Sequence, residues 1–494
     1  MALPSSCAKK HKKIFLRVPL MGVLLFSSVL LLLGVPMATA AGARTDTTLS
    51  VDRSGTIESL LSGTLAEAGP ECARILAQLP ANVKIGIIKV PEDWSKPTTS
   101  RLIPITYYTR ASHKPDQTPH VVFFNGGPGG SAFSSIWAFE NNSLARSLNW
   151  VFFDQRGTGC SQAYPEPVSM DDYFQQIDRY GPKSIVLDAE AIRYQLLGPE
   201  GKWRIFGQSF GASIVAYYLS MAPGSVEAAF MHGSSLTDDP KAWVKDRIKG
   251  QGRVLDQYFT RYPEDRQRLT QLKKSVSSSS CYGDSQAKIC GPGIFDALYV
   301  RLGFKDAWEQ LHQEITVLSQ LKGPLLDIAL QTQFFPKIRN EISIARYLIG
   351  NLVAGSDLRQ TCQAAIQDLR TEGYDVQNQL INDCHLLSAI WTSWDKDLQK
   401  FANSQFLSVA QFKNDLELTL TSATLPVYIY SGELDSFSPK ETFGPFVQAL
   451  KGLVNYLHFL QSGHEGYYSE DQIIVDLYKP KTVKEKSQSA AFEP

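Results

Sequence analysis

No charge of either sign predominates in this chain: 49 Lys and Arg face 49 Asp and Glu across 494 residues. A protein that grips nucleic acid gathers its cations into a patch or stripe, and no basic run interleaved with aromatics occurs here, so no nucleic-acid partner is expected. Long hydrophobic runs are missing after the first 40 residues, which argues against a polytopic membrane protein. The short motifs that cradle phosphate or hold metal are missing too: there is no GxxxxGKS or GxxxxGKT, no GxGxxG, no CxxC and no HExxH. No cofactor and no metal is therefore expected. The 43% hydrophobic content is that of an ordinary globular protein, with enough length to bury a large core.

What is present begins with a leader. Lys9, Lys10, Lys12, Lys13 and Arg17 precede an almost wholly apolar stretch from Val18 to Val35, and Ala38-Thr39-Ala40 supplies the small-x-small pattern of a cleavage site. Residues 1–40 read as a signal peptide, and the protein is expected to be exported, periplasmic or secreted; membrane contact is expected only if the leader stays on as an anchor. Without the five basic residues of the leader the chain has 44 basic and 49 acidic residues. Six cysteines follow it: Cys72, Cys160, Cys281, Cys290, Cys362 and Cys384. An even count in an exported chain points to disulfides. Cys281 with Cys290 and Cys362 with Cys384 are the short-range pairings, which leaves Cys72 with Cys160.

Residues 41–66, rich in Ser, Thr, Gly and Ala, read as a loose lead-in. Val83 to Val90 and Arg101 to Tyr108 look like an early strand pair. Further apolar strands are expected at His120 to Asn125, Trp150 to Asp154, Trp203 to Gly207 and Val226 to His232, with a helix over Lys183 to Leu197. Short apolar strands alternating with helices predict an α/β fold with a mostly parallel sheet covered on both faces. After His232 the pattern turns helical, with helices expected over Trp243 to Tyr258, Phe304 to Leu318, Glu341 to Leu352 and Gly373 to Trp394. Strands resume at Pro426 to Tyr430 and Val454 to Leu460. This gives a core of residues 41–235 and 424–480, a largely helical cap insertion over 236–423, and a polar tail over 481–494.

Trp203 to Phe206 runs into Gly207-Gln208-Ser209-Phe210-Gly211, and an apolar helix follows. Glycines two before and two after a serine let a strand and a helix pass closely at a sharp turn, leaving the serine hydroxyl exposed for attack on a carbonyl carbon. The strand Val121 to Phe124 feeds Asn125-Gly126-Gly127-Pro128-Gly129-Gly130-Ser131, a loop able to turn several backbone amides toward one developing negative charge. Asp154 and Arg156 follow the next strand, where pairing with each other to brace the loop is expected. A serine nucleophile needs a base, and the base an orienting carboxylate. Asp435 lies in the loop after Pro426 to Tyr430, with Glu433 as its rival, and His464 in the glycine-flanked loop after Val454 to Leu460, with His232 as the alternative base. Glu465 adjoins His464 but reads as poorly placed to face it. The order Ser209, Asp435, His464 is that of an α/β-hydrolase site.

Together the glycine-rich loop, the stretch Asp154 to Ser161, Gly207 to Gly211, Asp435 and His464 resemble the α/β-hydrolase serine peptidase family of proline iminopeptidases and secreted tripeptidyl aminopeptidases, over about residues 80–235 and 420–470. Asn125 stands where the iminopeptidase branch usually carries His, which tilts the resemblance toward the tripeptidyl aminopeptidases. The resemblance implies acyl transfer, with Ser209 as nucleophile, His464 as base held by Asp435, and the amides of Phe210, Gly126 and Gly127 as oxyanion hole. It also implies peptide substrates with a free N-terminus, and Asp238, Asp239 and Glu341 are candidates to bind the ammonium. An exported esterase or lipase acting on small acyl esters, and a catalytically silent hydrolase fold that only binds, are the competing readings.

Overall fold

The computed structural model describes residues 49–51, 72–127, 129–163, 165, 172, 175–176, 179–233, 240–283, 288–334, 358–376, 379–381, 384, 425–442, 447, 450 and 453–481. The leader, Asp238, Asp239, Glu341 and the helix expected over Glu341 to Leu352 lie outside them.

Its centre is a nine-stranded sheet in the order β1-β2-β3-β5-β4-β6-β7-β10-β11. The strands are β1 (Leu49–Val51), β2 (Lys84–Pro91), β3 (Leu102–Arg110), β4 (His120–Phe124), β5 (Asn149–Phe153), β6 (Trp203–Gln208), β7 (Val226–His232), β10 (Val427–Gly432) and β11 (Asn455–Phe459). From β5 to β11 every neighbouring pair is parallel, while β1, β2 and β3 add an antiparallel flank. The parallel strands carry apolar side chains on both faces because both faces are covered. Val122, Phe124, Ile205 and Ile429 pack under α3 (Pro182–Leu197) and α4 (Phe210–Met221). On the opposite face Phe123, Phe206, Phe230 and Tyr430 pack with Phe139 of α2 (Ala132–Glu140) and with Ile473, Ile474 and Leu477 near the end of the described chain.

Three particulars depart from the sequence reading. The stretch taken as a loose lead-in contributes β1, paired antiparallel to β2; a three-residue Leu-Ser-Val segment is too short to show alternation. Between β7 and β10 a small hairpin joins β8 (Cys281–Gly283) to β9 (Lys288–Cys290), where few strands were expected. The helix expected over Gly373 to Trp394 does not begin at Gly373, which takes φ 80°, a left-handed stop suited to glycine just after the helix Leu358–Thr371; most of the remaining stretch lies outside the described residues. The other described helices of this region include α5 (Pro240–Arg261), α6 (Glu264–Ser275) and α7 (Trp308–Ser319). Their buried core, with Tyr258, Leu269, Leu298 and Leu311, also takes in Leu434 and Phe437 from the loop after β10.

Three disulfides form: Cys72–Cys160, Cys281–Cys290 and Cys362–Cys384, the pairings read from spacing. The first links residues 88 apart in sequence and ties α1 (Cys72–Gln78) to the loop after β5. Cross-links over long loops restrict the unfolded chain most. Replacing Cys72 and Cys160 by Ser is expected to lower unfolding free energy by about 2–4 kcal/mol in denaturant titration. An unchanged midpoint counts against that contribution.

Candidate functional site

At the carboxyl end of β6 the chain turns through Ser209, whose φ of 55° and ψ of −120° make it the non-glycine residue at positive φ among the described residues. Such a backbone costs about 1–3 kcal/mol and persists only where surrounding contacts impose it. Two close approaches impose it here. A Cβ on Gly207 would lie 2.1 Å from the carbonyl oxygen of Gly211, and one on Gly211 would lie 1.9 Å from that of Phe124. The start of α4 thus rests directly on the end of β4, which brings the Asn125–Gly127 backbone beside the serine. The Ser209 amide donates to the His232 carbonyl at 2.8 Å. The sequence reading left this hydroxyl exposed; the structure buries the residue, at 1% exposure. A strand-turn-helix motif shows the turn, not the loops that fold over it.

Asp435 and His464 arrive from β10 and β11, and both are fully buried. His464 Nδ1 and Asp435 Oδ2 lie 2.6 Å apart. The other carboxylate oxygen accepts the amides of Phe437 and Ser438, each at 2.9 Å. Burial pushes the Asp435 carboxyl up, but the facing His464, their hydrogen bond and the Ser438 amide outweigh it and hold the group below its ordinary value. The imidazole is packed against the Phe437 ring at 4.8 Å and edge-on to Phe304 at 5.8 Å. Its Nε2 is buried with no hydrogen-bond partner.

Gly233 closes the gap between the strands. It follows His232, whose carbonyl holds the Ser209 amide, and a Cβ on it would meet His464 Cε1 at 3.0 Å and Asp435 Oδ2 at 3.2 Å. Ser209, Asp435 and His464 therefore converge around the end of β7, although their own strands are not all neighbours. Helix α5 fixes the acid's loop from the far side: Arg253, Gln251 and Arg247 donate to the backbone carbonyls of Glu433, Ser436 and Phe437. No sequence signal pointed to these donors, which lie some 180 to 190 residues upstream.

The rival acid is engaged elsewhere. Glu433 accepts from His458 Nε2 at 2.5 Å and forms ion pairs with Arg253 and Lys440. His232 is completely buried with both ring nitrogens unpartnered, and burial lowers its pKa to about 3, opposed by Asp435 and reinforced by His464. It is neutral, and its ring centre lies 6.4 Å from that of His464. Glu465, read as poorly placed, is 3% exposed beside the base, and burial, with Asp306 and Asp435 adding to it, raises its pKa to about 7.

Asp154 and Arg156 do not pair with each other, contrary to expectation; both follow the last residue of β5, Phe153, and each is held by partners of its own. Asp154 accepts the Tyr108 hydroxyl at 2.6 Å and the amides of Ala132 and Cys160, each at 2.8 Å, so it anchors the start of α2 and the long-range disulfide. Arg156 forms a bidentate pair with Asp188 of α3, at 2.6 and 2.7 Å. Gly126 and Gly127 lie at the end of β4, Gly127 at φ 122°, while Asn125 is held through its carbonyl by Gln155 at 3.1 Å and through its Oδ1 by Ser135 at 2.7 Å. Phe210 opens α4, where the first amides of a helix have no partner within it. Pro128 lies outside the described residues.

Away from this site, Glu264, Asp265 and His312 gather with ligand spacing suited to a cation. Asp265 is already engaged by Tyr258, Arg268 and His312, so the group serves as a brace between α6 and α7.

A family model for the alpha/beta hydrolase fold matches residues 119–471. A proline iminopeptidase of Aspergillus aculeatus is 26% identical over 49% of this chain and 58% of its own length. One of Aeromonas sobria is 29% identical over 35% of this chain and 43% of its own length, and one of Neisseria gonorrhoeae 30% identical over 31% and 45%. The chain thus spans about half the length of the curated relatives it matches.

Proposed function

Because the chain belongs to the α/β-hydrolase fold family, we propose that it is a serine hydrolase, an exported aminopeptidase that releases N-terminal residues or short, tripeptide-like units from peptides. The observation that carries this reading is the buried His464–Asp435 pair, with Nε2 unpartnered, converging with a serine held at a strained turn. The proline iminopeptidases among its relatives support peptides as the substrate class. Three disulfides fit an oxidising compartment and so support export.

In the proposed reaction Ser209 Oγ attacks the scissile carbonyl carbon while His464 Nε2 takes its proton. Asp435 holds Nδ1 protonated and stabilises the imidazolium that forms. The amides of Phe210, Gly126 and Gly127 receive the oxyanion, aided by the positive end of α4. His464 then returns the proton to the leaving amine, and water, activated by the same base, releases the acyl group from Ser209. Asp154 and Arg156 take no part in these steps; they support the loops.

An aminopeptidase requires a free α-ammonium, so unblocked peptide amides are expected to be cleaved at least tenfold faster than their N-acetylated counterparts, on the scale of losing one charge-assisted contact of about 1.5–3 kcal/mol. Rates of both, with mass identification of the released units, check this. Equal rates sink the aminopeptidase reading, and rapid turnover of simple acyl esters alone replaces it with an esterase.

A further inference from the structure

The loop that carries His464 is gripped by a segment far from it in sequence. Gly303 accepts the His464 amide at 2.8 Å, and Lys305 donates to the carbonyl and the side chain of Gln461 at 3.1 and 3.3 Å. Phe304, between them, sets its ring edge-on to the imidazole. Glu465 is folded back into this junction. Its Oε1 accepts the Gly463 amide at 3.1 Å, while its Oε2 is buried without a partner. A Cβ on Gly463 would lie 2.6 Å from that Oε2 and equally 2.6 Å from the Gly303 carbonyl oxygen, so both oxygens lie close to Gly463.

We propose that Glu465 is a positioning residue for the proposed base, clamping the His464 loop between the Gly463 amide and the Gly303 carbonyl. The clamp needs a hydrogen on Oε2, since two bare acceptor oxygens repel, whereas a carboxylic acid accepts on one oxygen and donates from the other. The surroundings favour that acid form. The groups that face Glu465 are Asp306 on the gripping segment, Asp435 after β10, and Tyr467 and Tyr468 on its own side of the fold; none is a cation. His232, behind Gly466, is neutral, and Lys305 is engaged by Gln461. Burial, together with Asp306 and Asp435, keeps the proton on up to about pH 7.

The sign follows directly. The folded carboxyl holds its proton more tightly than the unfolded one, so the clamp is intact at low pH and is lost as pH rises through about 7. Loss of the proton turns Oε2 into an acceptor opposite the Gly303 carbonyl, and the loop carrying the base loosens.

The experiment measures the rate at which a fluorophosphonate labels Ser209, from pH 5.5 to 9, in wild type, Glu465→Gln and Glu465→Ala, with thermal melts to show that each is folded. Labelling needs no peptide, so it rests on the serine-hydrolase reading and not on the aminopeptidase one. Wild-type labelling tests that reading, and the ratios among the three proteins test the clamp. An amide accepts and donates as the acid does but does not titrate. Glu465→Gln is therefore expected to label within about threefold of wild type near pH 6 and to overtake it above pH 8. Glu465→Ala is expected to label about 10- to 100-fold more slowly than wild type near pH 6, on the scale of a displaced catalytic group, with the gap closing above pH 8 as the wild-type clamp opens. Glu465→Gln behaving like Glu465→Ala would overturn the proposal. So would wild-type labelling that climbs steeply above pH 7 and flattens in Glu465→Gln, since Glu465 would then act as a carboxylate on the imidazole.

Discussion

Ser209→Ala is expected to leave the protein folded and to lower peptide hydrolysis by a factor on the order of 10⁴ to 10⁶, the range over which serine hydrolases lose turnover with their nucleophile. The reason is chemical: no other hydroxyl stands at the turn where β6 meets α4, so without it no acyl-enzyme forms in the proposed reaction. The backbone of the turn does not depend on the hydroxyl. The amide bond from Ser209 to His232 and the close contacts of Gly207 and Gly211 remain with alanine in place. Alanine keeps the Cβ and with it the cost of φ 55°, so the strain is unchanged. Loss of one buried hydroxyl should shift stability by about 1 kcal/mol at most. Turnover of an unblocked peptide amide, fluorophosphonate labelling and a thermal melt of the same preparation separate these effects. Near-wild-type turnover by a pure, folded variant removes Ser209 from the mechanism.

Arg156→Ala should produce the largest loss of stability of any single change considered for this protein, about 3–5 kcal/mol. Both side chains of its pair with Asp188 are fully buried. Arg156 also donates to the carbonyl oxygens of Glu92 at 2.8 Å, Arg179 at 2.6 Å and Pro91 at 3.2 Å. One guanidinium thus joins the loop after β5, the end of β2, the approach to α3 and α3 itself. Its removal leaves the Asp188 carboxylate buried with Trp94 Nε1, at 2.9 Å, as its remaining donor among the described residues, and takes a partner from three carbonyls. An orphaned buried charge costs far more than the intact pair contributes, so Asp188→Ala combined with Arg156→Ala should cost clearly less than the sum of the single changes. Denaturant titration of the two single variants and the double variant gives the coupling. A loss below about 1 kcal/mol for Arg156→Ala, typical of exposed ion pairs, would place the pair outside the core of the fold.

The fold was legible because each strand that lines the site is a short apolar run ending in a glycine-bearing loop. Val121 to Phe124, Ile205 to Phe206 and Val427 to Tyr430 are buried on both faces, and only a covered parallel sheet accommodates such runs. Short pieces were less visible. A three-residue edge strand such as Leu49–Val51 is specified by its partner β2, not by its own sequence. Pairing of Asp154 with Arg156 was a natural expectation from proximity in sequence, and it failed because buried partners from elsewhere in the fold hold each of them, Tyr108 the one and Asp188 the other.

The candidate site divides in the same way. Ser209, Asp435 and His464 stand out in the sequence because reactive residue types sit in turns at strand ends, with glycines where the backbone must pass closely. That spacing determines which side chains reach one edge of the sheet, and the order of the strands follows from right-handed crossovers. Depth and partners were decided only by the tertiary structure. Burial of Ser209, the α5 donors that fix the Asp435 loop, the neutrality of His232 and the folding of Glu465 against Gly303 all depend on segments more than 100 residues away from the groups they act on, or on the desolvation that those segments impose. Local sequence sets backbone geometry, whereas electrostatic environment and desolvation are properties of whatever packs against it.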